Sequence, residues 1–319
     1  MGYKVDLYDK KLLFELDKDS SLPLQILAKK LRRSKQFVLY RMNKLEQEGI
    51  ITGYHAIVDM SKLGYFTFRV YIKFQQMTQK DLQAFVEHVR AAFTNVWTIT
   101  SMHGKWDFAL FIGVTSINEF HNVIDSLTNS YKPHIKIYDI AIYAPIYNFN
   151  RKFFSVSGDA VERVYGTGAP ETSDKLDRSI IEHFAPNVRV SSLALAKKLS
   201  VSPDTVRHRI KKLERSHIIV GYKLGLNVEK LGYTSYRVDI QLVSTQRNKE
   251  LHEYCRMHRY IYQINKTIGG ADFEIEVIVK DQAHLIALID ELKTQFSSVI
   301  NDVDYFGFST FHVLQYIPD

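Results

Sequence analysis

The sequence repeats itself at a fixed spacing, and this constrains its fold more than any other feature. Residues 27–31, Leu-Ala-Lys-Lys-Leu, recur unchanged 168 positions later as residues 195–199. The same spacing relates Arg41 to Arg209, 44–46 to 212–214, 50–51 to 218–219, 53–54 to 221–222, 63–65 to 231–233, and 69–70 to 237–238. From Gly104 onward the spacing is 165, which relates Gly104, Asp107 and Phe108 to Gly269, Asp272 and Phe273. The chain is therefore a tandem duplication and must fold as two similar units in series.

The composition is that of a globular chain, since 45% of its 319 residues are hydrophobic and its length allows two domains or more. No apolar run approaches the roughly 18 residues of a membrane span, and residues 1–10 lack a secretory apolar core. We therefore expect a cytoplasmic protein without a membrane partner. Cys255 is the one cysteine, which excludes an intrachain disulfide and a thiolate metal cluster. We expect it to be a semi-buried thiol without catalytic function, and we expect no metal or cofactor.

Each copy begins with three apolar stripes at helical spacing. They are Leu12, Leu13, Leu16; Leu24, Leu27, Ala28, Leu31; and Val38, Met42, Leu45, and in the second copy Leu176, Ile180, Ile181, Phe184; Leu195, Ala196, Leu199; and Val206, Ile210, Leu213. Ser34 and Ser202 are favourable N-caps for the third helices, and Pro203 suits a first helical position. Two short helices joined by a tight turn predict a helix-turn-helix. The Ile-Ile-x-Gly-Tyr segments at 50–54 and 218–222 predict a wing strand after each.

The remainder of each copy predicts the order βαββαβ, which is the ferredoxin-like split unit. In the first copy we expect a strand at 65–75, a helix at 81–93, strands at 96–103 and 108–114, a helix at 117–127 and a strand at 135–147, and in the second the same order from 233 to 316. The predicted fold class is α+β, with two winged helix-turn-helix domains (1–60 and 174–228), each followed by a ferredoxin-like sensor domain (61–150 and 229–319). Residues 151–173 are the predicted linker, because Gly158, Gly166, Gly168 and Pro170 gather there with serine and threonine. We place the joint near Gly168.

The positive charge is concentrated in two segments. Residues 26–48 and residues 194–216 each carry a net charge of +5, whereas the whole chain carries +7 and the other 273 residues carry −3. Each segment covers the second and third helix of a predicted helix-turn-helix. Most Lys/Arg runs are solvated helix faces. The duplicated placement on an element that fits a major groove nevertheless favours double-stranded DNA as the partner.

The side of each third helix opposite its apolar stripe contains the candidate base-contacting residues. They are Gln36, Tyr40, Asn43 and Lys44 in the first copy, and Asp204, His208, Lys211 and Lys212 in the second. Gln and Asn pair with adenine, and Lys with guanine or a phosphate. The candidates for phosphate contacts are Ser34, Arg41, Ser202 and Arg209. An intrahelical ion pair is an equally weighted alternative for the two arginines, although Glu46 and Glu214 are too distant for ideal pairing.

These motifs, in this order and in both copies, resemble the Lrp/AsnC family, the feast/famine regulators of bacteria and archaea. The resemblance implies sensor domains that dimerise through their sheets, and amino acids or related metabolites that bind near a Gly-x-x-Asp hairpin. The hairpin residues that correspond in this chain are Gly104, Asp107, Gly269 and Asp272. The resemblance therefore implies a sequence-specific DNA-binding transcription regulator that responds to such an effector.

The chain departs from the family pattern at several positions. Arg32 and Ser200 stand where the family usually has a glycine in the turn, and Arg33 replaces an apolar residue. Gly49 suits a helix C-cap, but its counterpart is His217. A tight hairpin also requires glycine without any ligand, and for Gly104 and Gly269 we favour this structural explanation.

Two other classes of function stay open. Siroheme decarboxylases of the haem pathway look like this family, and such an enzyme would use basic and histidine residues around a tetrapyrrole. His103 and His312 lie on or near predicted strands, but no His/Asp/Glu group repeats between the copies, and the basic third helices favour DNA. A sensor that acts through proteins without binding DNA is the third class.

The duplication also leaves two modes of assembly. The two sensor domains either pair within one chain as a pseudo-dimer, or pair across two chains. In the second mode the first copy pairs with the first copy of the other chain, and the second copy with the second. We favour the pseudo-dimer, because the short joint keeps the second unit at high effective concentration near the first. Larger homo-oligomers remain compatible with either mode.

Overall fold

The computed structural model of the protein describes residues 3–154 and 160–314. The first unit contains α1 (Leu7–Lys18), α2 (Leu24–Leu31), α3 (Lys35–Gln47), β1 (Ile51–Val58), β2 (Phe66–Phe74), α4 (Gln79–Ala92), β3 (Val96–His103), β4 (Phe108–Val114), α5 (Ile117–Tyr131) and β5 (Ile135–Phe149). The joint contains β6 (Glu162–Tyr165), and the second unit contains α6 (Lys175–Phe184), α7 (Ser192–Leu199), α8 (Pro203–Arg215), β7 (Ile219–Leu226), β8 (Thr234–Leu242), α9 (Asn248–Met257), β9 (Ile261–Ile268), β10 (Phe273–Val279), α10 (Gln282–Gln295) and β11 (Ile300–Leu314). The predicted α+β class and the predicted element order are confirmed in both copies.

Parts of three predicted segments lie outside the described residues. They are residues 155–159 of the linker, which include Gly158, and residues 315–319 of the second sensor domain, together with residues 1–2. No helix in the described ranges is long and apolar enough to cross a membrane. Cys255 is fully buried in the core of the second sensor domain, more than the semi-buried thiol expected, and burial raises the pKa of its thiol.

The two helix-turn-helix units share one hydrophobic core and so form a single body. The predicted wing strands are present as β1 and β7, but among the described residues neither has a partner strand within its own unit. Instead β1 and β7 pair with each other in antiparallel orientation, with His55 opposite Lys223. Each is a lone strand that would leave buried backbone groups without partners, and the strand of the other unit supplies them. The N–H of Ala56 also donates to the carbonyl of Ala185 in the second unit, at 2.9 Å.

The eight sensor strands close into one barrel. Each ferredoxin-like unit has its usual strand order, β5-β2-β4-β3 in the first and β11-β8-β10-β9 in the second. β3 pairs with β11, and β5 pairs with β9, so that the edges of the two units join twice. The duplication relates these two junctions. His103 faces Gly307 in one junction, and their counterparts at the spacing of 165, Ile268 and Ile142, face each other in the other junction. The two units therefore pair within one chain.

The strands have one face toward the helices and one toward the barrel interior. Alternate residues of β2, Phe68, Val70 and Ile72, are buried against the core under α4 and α5. The residues between them face inward. Among these, Arg69 and its counterpart Arg237 are at most 1% exposed, and both bind the carboxylate of Glu274.

The joint is anchored rather than irregular. β6 lies within the predicted linker and pairs with the end of β5, with Tyr165 opposite Ile146. The guanidinium of Arg163 donates to the carbonyls of Asp17 and Lys18 at 2.8 and 2.6 Å. The joint is therefore held on the first unit before the chain enters α6.

Candidate nucleic-acid interface

The turn between the second and third helix has the same backbone conformation in both units. Arg32 and Ser200, at the predicted glycine position, adopt left-handed φ values of 51° and 55°. Gly49 and His217 after the third helices are also left-handed, with φ of 64° and 54°. The two departures from glycine therefore preserve the turn, although a non-glycine residue in this region costs roughly 1–2 kcal/mol.

Both third helices begin at a serine cap, as predicted. The Oγ of Ser34 accepts a hydrogen bond from the N–H of Phe37 at 3.1 Å, and the Oγ of Ser202 accepts one from Thr205 at 3.0 Å. Both serines are exposed, and Pro203 is the first residue of α8. Because Ser34 accepts through its oxygen, its hydroxyl proton can still point toward an added acceptor. The Oγ of Ser202 is also 2.8 Å from the Oγ1 of Thr205, and either hydroxyl can donate.

Most of the candidate base-contacting residues are exposed. They are Gln36, Tyr40 and Asn43 on α3, and Asp204, His208 and Lys211 on α8. Tyr40 is 65% exposed. Asp204 forms an ion pair with Arg207 on the same helix. The two exposed faces therefore differ in charge and in hydrogen-bonding groups.

The remaining candidates are ion-paired within the protein. Lys44 binds Glu48 at 2.8 Å along α3. Lys212 binds Asp177 on α6 at 2.7 Å, and Arg209 binds the same carboxylate at 3.1 Å. These contacts fix α8, the third helix of its unit and the recognition helix of the helix-turn-helix arrangement, to the first helix α6. The structure thus gives Arg209 and Lys212 a structural explanation.

The first unit repeats this arrangement with Arg41, which binds Asp6 at 2.8 Å and the buried Asp9 at 3.3 Å. The arginines thus form interhelical pairs and not the intrahelical pairs considered from the sequence. The partners were missed although the sequence contains their signal, because Asp6 and Asp9 recur 168 positions later as Asp174 and Asp177. In each pair both residues form a capping box at the start of the first helix. The N–H of Asp177 and the guanidinium of Arg209 lower the pKa of Asp174.

The hairpin residues have structural partners. The carboxylate of Asp107 accepts from the N–H of Phe74 at 2.8 Å and binds Lys73 at 2.7 Å. The carboxylate of Asp272 accepts from the N–H of Leu242 at 2.8 Å, the equivalent position in the second unit. Each aspartate therefore ties its hairpin to the end of the first sensor strand.

The glycines of the hairpins also meet a backbone requirement. Gly104 and Gly269 adopt φ of 106° and 88°. At Gly269 a Cβ atom would lie 2.8 Å from the carbonyl oxygen of Ile140. Both glycines are thus needed by the turn, and at Gly269 also by a close approach of the neighbouring strand.

Comparison with known proteins identifies the helix-turn-helix segments. The AsnC-type helix-turn-helix domain matches residues 174–214, and the winged helix-turn-helix DNA-binding domain matches residues 5–52. An HTH-type transcriptional regulator of Pyrococcus furiosus is 32% identical over 107 residues, which are 34% of this chain and 71% of that protein. The transcriptional regulator AzlB of Bacillus subtilis is 31% identical over 129 residues, 40% of this chain and 82% of that protein.

Among solved structures, the siroheme decarboxylase NirDL superposes with a TM-score of 0.63 at 15% identity. The alignment covers 98% of this chain and 94% of that one, and it shows a shared fold over both units. The sequence relatives span less than half of this chain, as single-unit proteins would. By its helix-turn-helix domains and these relatives, the chain belongs to the Lrp/AsnC family of DNA-binding transcription regulators.

Proposed function

We propose that this protein is a sequence-specific regulator that acts as an intrachain pseudo-dimer and binds a non-palindromic operator. The observation that supports this most is that two recognition helices with different exposed faces belong to one body with a shared core. Gln36 and Asn43 on α3 favour adenine edges, whereas Lys211 on α8 favours guanine or a phosphate. A dimer of identical units would instead present the same face twice.

The experiment that tests this proposal is selection of bound duplexes from a random pool, combined with the mass of the complex from light scattering. We expect one chain per site, and two unlike half-sites about one helical turn, roughly 34 Å, apart. Lys211→Ala should weaken the preference in one half-site, and Asn43→Ala in the other. A palindrome bound by two chains, weakened equally in both halves by Lys211→Ala, would contradict the pseudo-dimer.

Phosphate contacts by the two basic segments should make the affinity depend on salt. The logarithm of the association constant should fall linearly with the logarithm of salt concentration, by about 0.9 per phosphate neutralised on duplex DNA. Lys211→Ala should reduce this slope. Lys249→Ala is the matched control, because Lys249 is an exposed lysine on α9 of the sensor domain. Equal slopes in both variants would count against the contact.

We further propose that an amino acid or related metabolite binds near the Gly-x-x-Asp hairpins and changes affinity for DNA or the state of assembly. A polar cavity of about 130 Å³ lies beside the hairpin of the second unit, lined by Gly269, Arg69 and Gln241 among others. Calorimetric titration with the common amino acids tests the proposal. Gln241→Ala is an informative variant, because Asp107→Ala and Asp272→Ala also remove a backbone hydrogen-bond acceptor. Absence of heat with every amino acid would leave the hairpins with a structural function alone.

A second candidate function is decarboxylation of siroheme, and we retain it because the fold matches that of NirDL over nearly the whole chain. The two candidate histidines lie on the barrel strands, where the Nε2 of His312 is 3.1 Å from the Oγ of Ser101 and His103 is exposed. Titration with siroheme, followed by visible absorbance and carbon dioxide release, separates the functions. Saturable binding with product formation would replace the regulator as the main function.

A further inference from the structure

A large cavity lies between the β1–β7 sheet and the adjacent end of the barrel. Its volume is about 1270 Å³, whereas small-molecule pockets usually measure roughly 300–1,000 Å³. Ala56 and Leu226 line it from the β1–β7 sheet, barrel residues line it from the other side, and Gly166 and Pro170 of the joint form part of the wall. A single amino acid would leave most of this space empty. The cavity is also separate from the small cavity at the hairpin of the second unit.

Aromatic side chains form much of the wall. They are Trp97, Phe111, Tyr143, Tyr165, Tyr262 and Phe308. The rings of Phe111 and Tyr143 are nearly parallel, at an interplanar angle of 6° and a centroid distance of 5.8 Å. Such faces pack against flat, conjugated groups.

Lys223 supplies a cation to this cavity. Within residues 3–154 and 160–314 its ammonium has no hydrogen bond and no ion pair. The neighbouring arginines differ, because Arg151 binds Asp17 at 2.6 Å and Arg163 donates to backbone carbonyls. Lys223 is half-buried, and its ammonium is therefore available to pair with an anionic group that enters the cavity.

The position of Lys223 follows from the duplication. It faces His55 across the β1–β7 sheet, and these two residues are also counterparts at the spacing of 168. The pair therefore lies on the pseudo-twofold axis of the molecule, where an identical dimer would place the same residue twice. Here one side supplies a lysine, whereas the Nδ1 of His55 is 3.0 Å from the carbonyl oxygen of Pro186.

The described carboxylates that line the cavity belong to Asp17, Glu229 and Glu276; Asp17 binds Arg151, and Glu229 lies exposed at the wall. The carboxylate of Glu276 accepts from the hydroxyl of Tyr262 at 2.6 Å and from the amide of Gln263 at 3.2 Å. Burial, assisted by Arg151 and Arg163, lowers the pKa of Lys223 to about 8. The amine is thus still mainly protonated at neutral pH, and within the described part of the chain none of these three carboxylates forms an ion pair with it.

We propose that this cavity binds a flat, conjugated ligand that carries a carboxylate, with the carboxylate paired to Lys223 and the conjugated body between the aromatic side chains. The volume, the aromatic wall and the unpaired ammonium support the same ligand class independently. The site does not depend on DNA binding, so its test uses ligand binding alone.

The test uses the full chain with 8-anilinonaphthalene-1-sulfonate as a fluorescent probe, displaced by 2-naphthoate or by neutral 2-naphthamide. We expect 2-naphthoate to displace the probe at concentrations about tenfold lower than 2-naphthamide. Lys223→Met should weaken 2-naphthoate binding about tenfold or more, and Lys223→Arg should retain most of it. Lys249→Met, at an exposed position, is the matched control and should change nothing.

Equal displacement by the acid and the amide would overturn the proposal, and so would unchanged affinity in Lys223→Met. Circular dichroism shows whether that variant is folded. If it is not, the wild-type chain decides by chemical labelling: trinitrobenzenesulfonate should modify Lys223 near pH 8, and saturating 2-naphthoate should protect it. Labelling of Lys223 at the same rate with and without 2-naphthoate would overturn the proposal.

Discussion

Removing the carboxylate of Glu274 should destabilise the barrel more than any exposed charge substitution. Arg69 binds both oxygens of Glu274, at 2.7 and 3.0 Å, and Arg237 binds one of them at 2.6 Å. The Oγ1 of Thr267 and the N–H of Ala271 donate to the same carboxylate at 3.0 and 3.2 Å. Glu274 and Arg237 are 0% exposed and Arg69 is 1% exposed. The carboxylate of Glu274 is therefore shared by two buried cations, and of these Arg237 also pairs with Glu276 at 3.4 Å.

The expected cost follows from what remains after the substitution. Burial alone would raise the pKa of Glu274, but the two guanidinium groups lower it, so the carboxylate is charged in the folded state. Glu274→Gln leaves two buried guanidinium groups without their shared anion. Breaking a buried ion pair by removing one partner costs about 3–5 kcal/mol. That is a large part of the roughly 5–15 kcal/mol by which proteins are stable.

The measurement is chemical denaturation in urea, with the shift in midpoint converted by the slope of the transition. Glu253→Gln is the matched control, because Glu253 is 57% exposed and pairs with Arg256 on one helix. Such an exposed pair contributes little to stability, because solvent screens its charges. Replacing the whole network with Arg69→Met, Arg237→Met and Glu274→Leu should recover much of the stability. Equal small effects of Glu274→Gln and Glu253→Gln would refute the reasoning.

Three further predictions concern single positions. Ser200→Gly should raise the melting temperature, since it relieves a left-handed residue by about 1 kcal/mol, whereas Ser216→Gly, at φ −82°, should not; a lower value for Ser200→Gly would contradict this. Burial raises the pKa of Asp239 to about 6, so the wild type should lose stability as pH rises from about 4 to about 6, on the order of 1–3 kcal/mol. Asp239→Asn should abolish that loss in melting curves at several pH values, and an unchanged pH dependence would argue against it. Asp177→Asn should cost about 1–3 kcal/mol because it removes the acceptor of two cations, whereas Asp204→Asn, 88% exposed, should cost little; similar denaturation midpoints for the two variants would show that the contacts of Asp177 with Arg209 and Lys212 do not stabilise the unit.

The local elements were predictable because their signals are local. Apolar spacing of three and four residues placed the helices, and the serine caps placed the start of α3 and α8. The helical wheel also placed Gln36, Tyr40 and Asn43 on the exposed face. Each of these properties depends on residues within one or two helical turns.

The pairing of β1 with β7 was not predictable in this way. A lone strand carries no indication of which distant strand will pair with it, and the sequence pattern of a wing is the same in either case. β6 was missed for a different reason, because four residues in a segment rich in glycine and proline give too little alternation to indicate a strand.

The charged residues of the barrel interior were predictable only in part. The repetition of Arg69 as Arg237 was visible in the sequence, but period-two alternation cannot tell a solvent-facing side from the inside of a closed barrel. Their partner breaks the repeat, since the counterpart of Glu274 in the first unit is Ala109. A search for repeated residues therefore finds the two cations and misses the anion.

This unequal division of charge favours pairing of unlike units. If two first units paired, their barrel would bury Arg69 twice with Ala109 at both anion positions, whereas two second units would bury Arg237 twice with Glu274 twice. The observed pairing places one Glu274 between one Arg69 and one Arg237. Because unpaired buried charge costs several kcal/mol, pairing of two first units is penalised, and the unlike pair gives Arg69 the partner that its own unit lacks. The same interior that determines which units meet thus keeps two different recognition helices on one molecule, and an operator with unlike halves is the site that such a molecule is expected to bind.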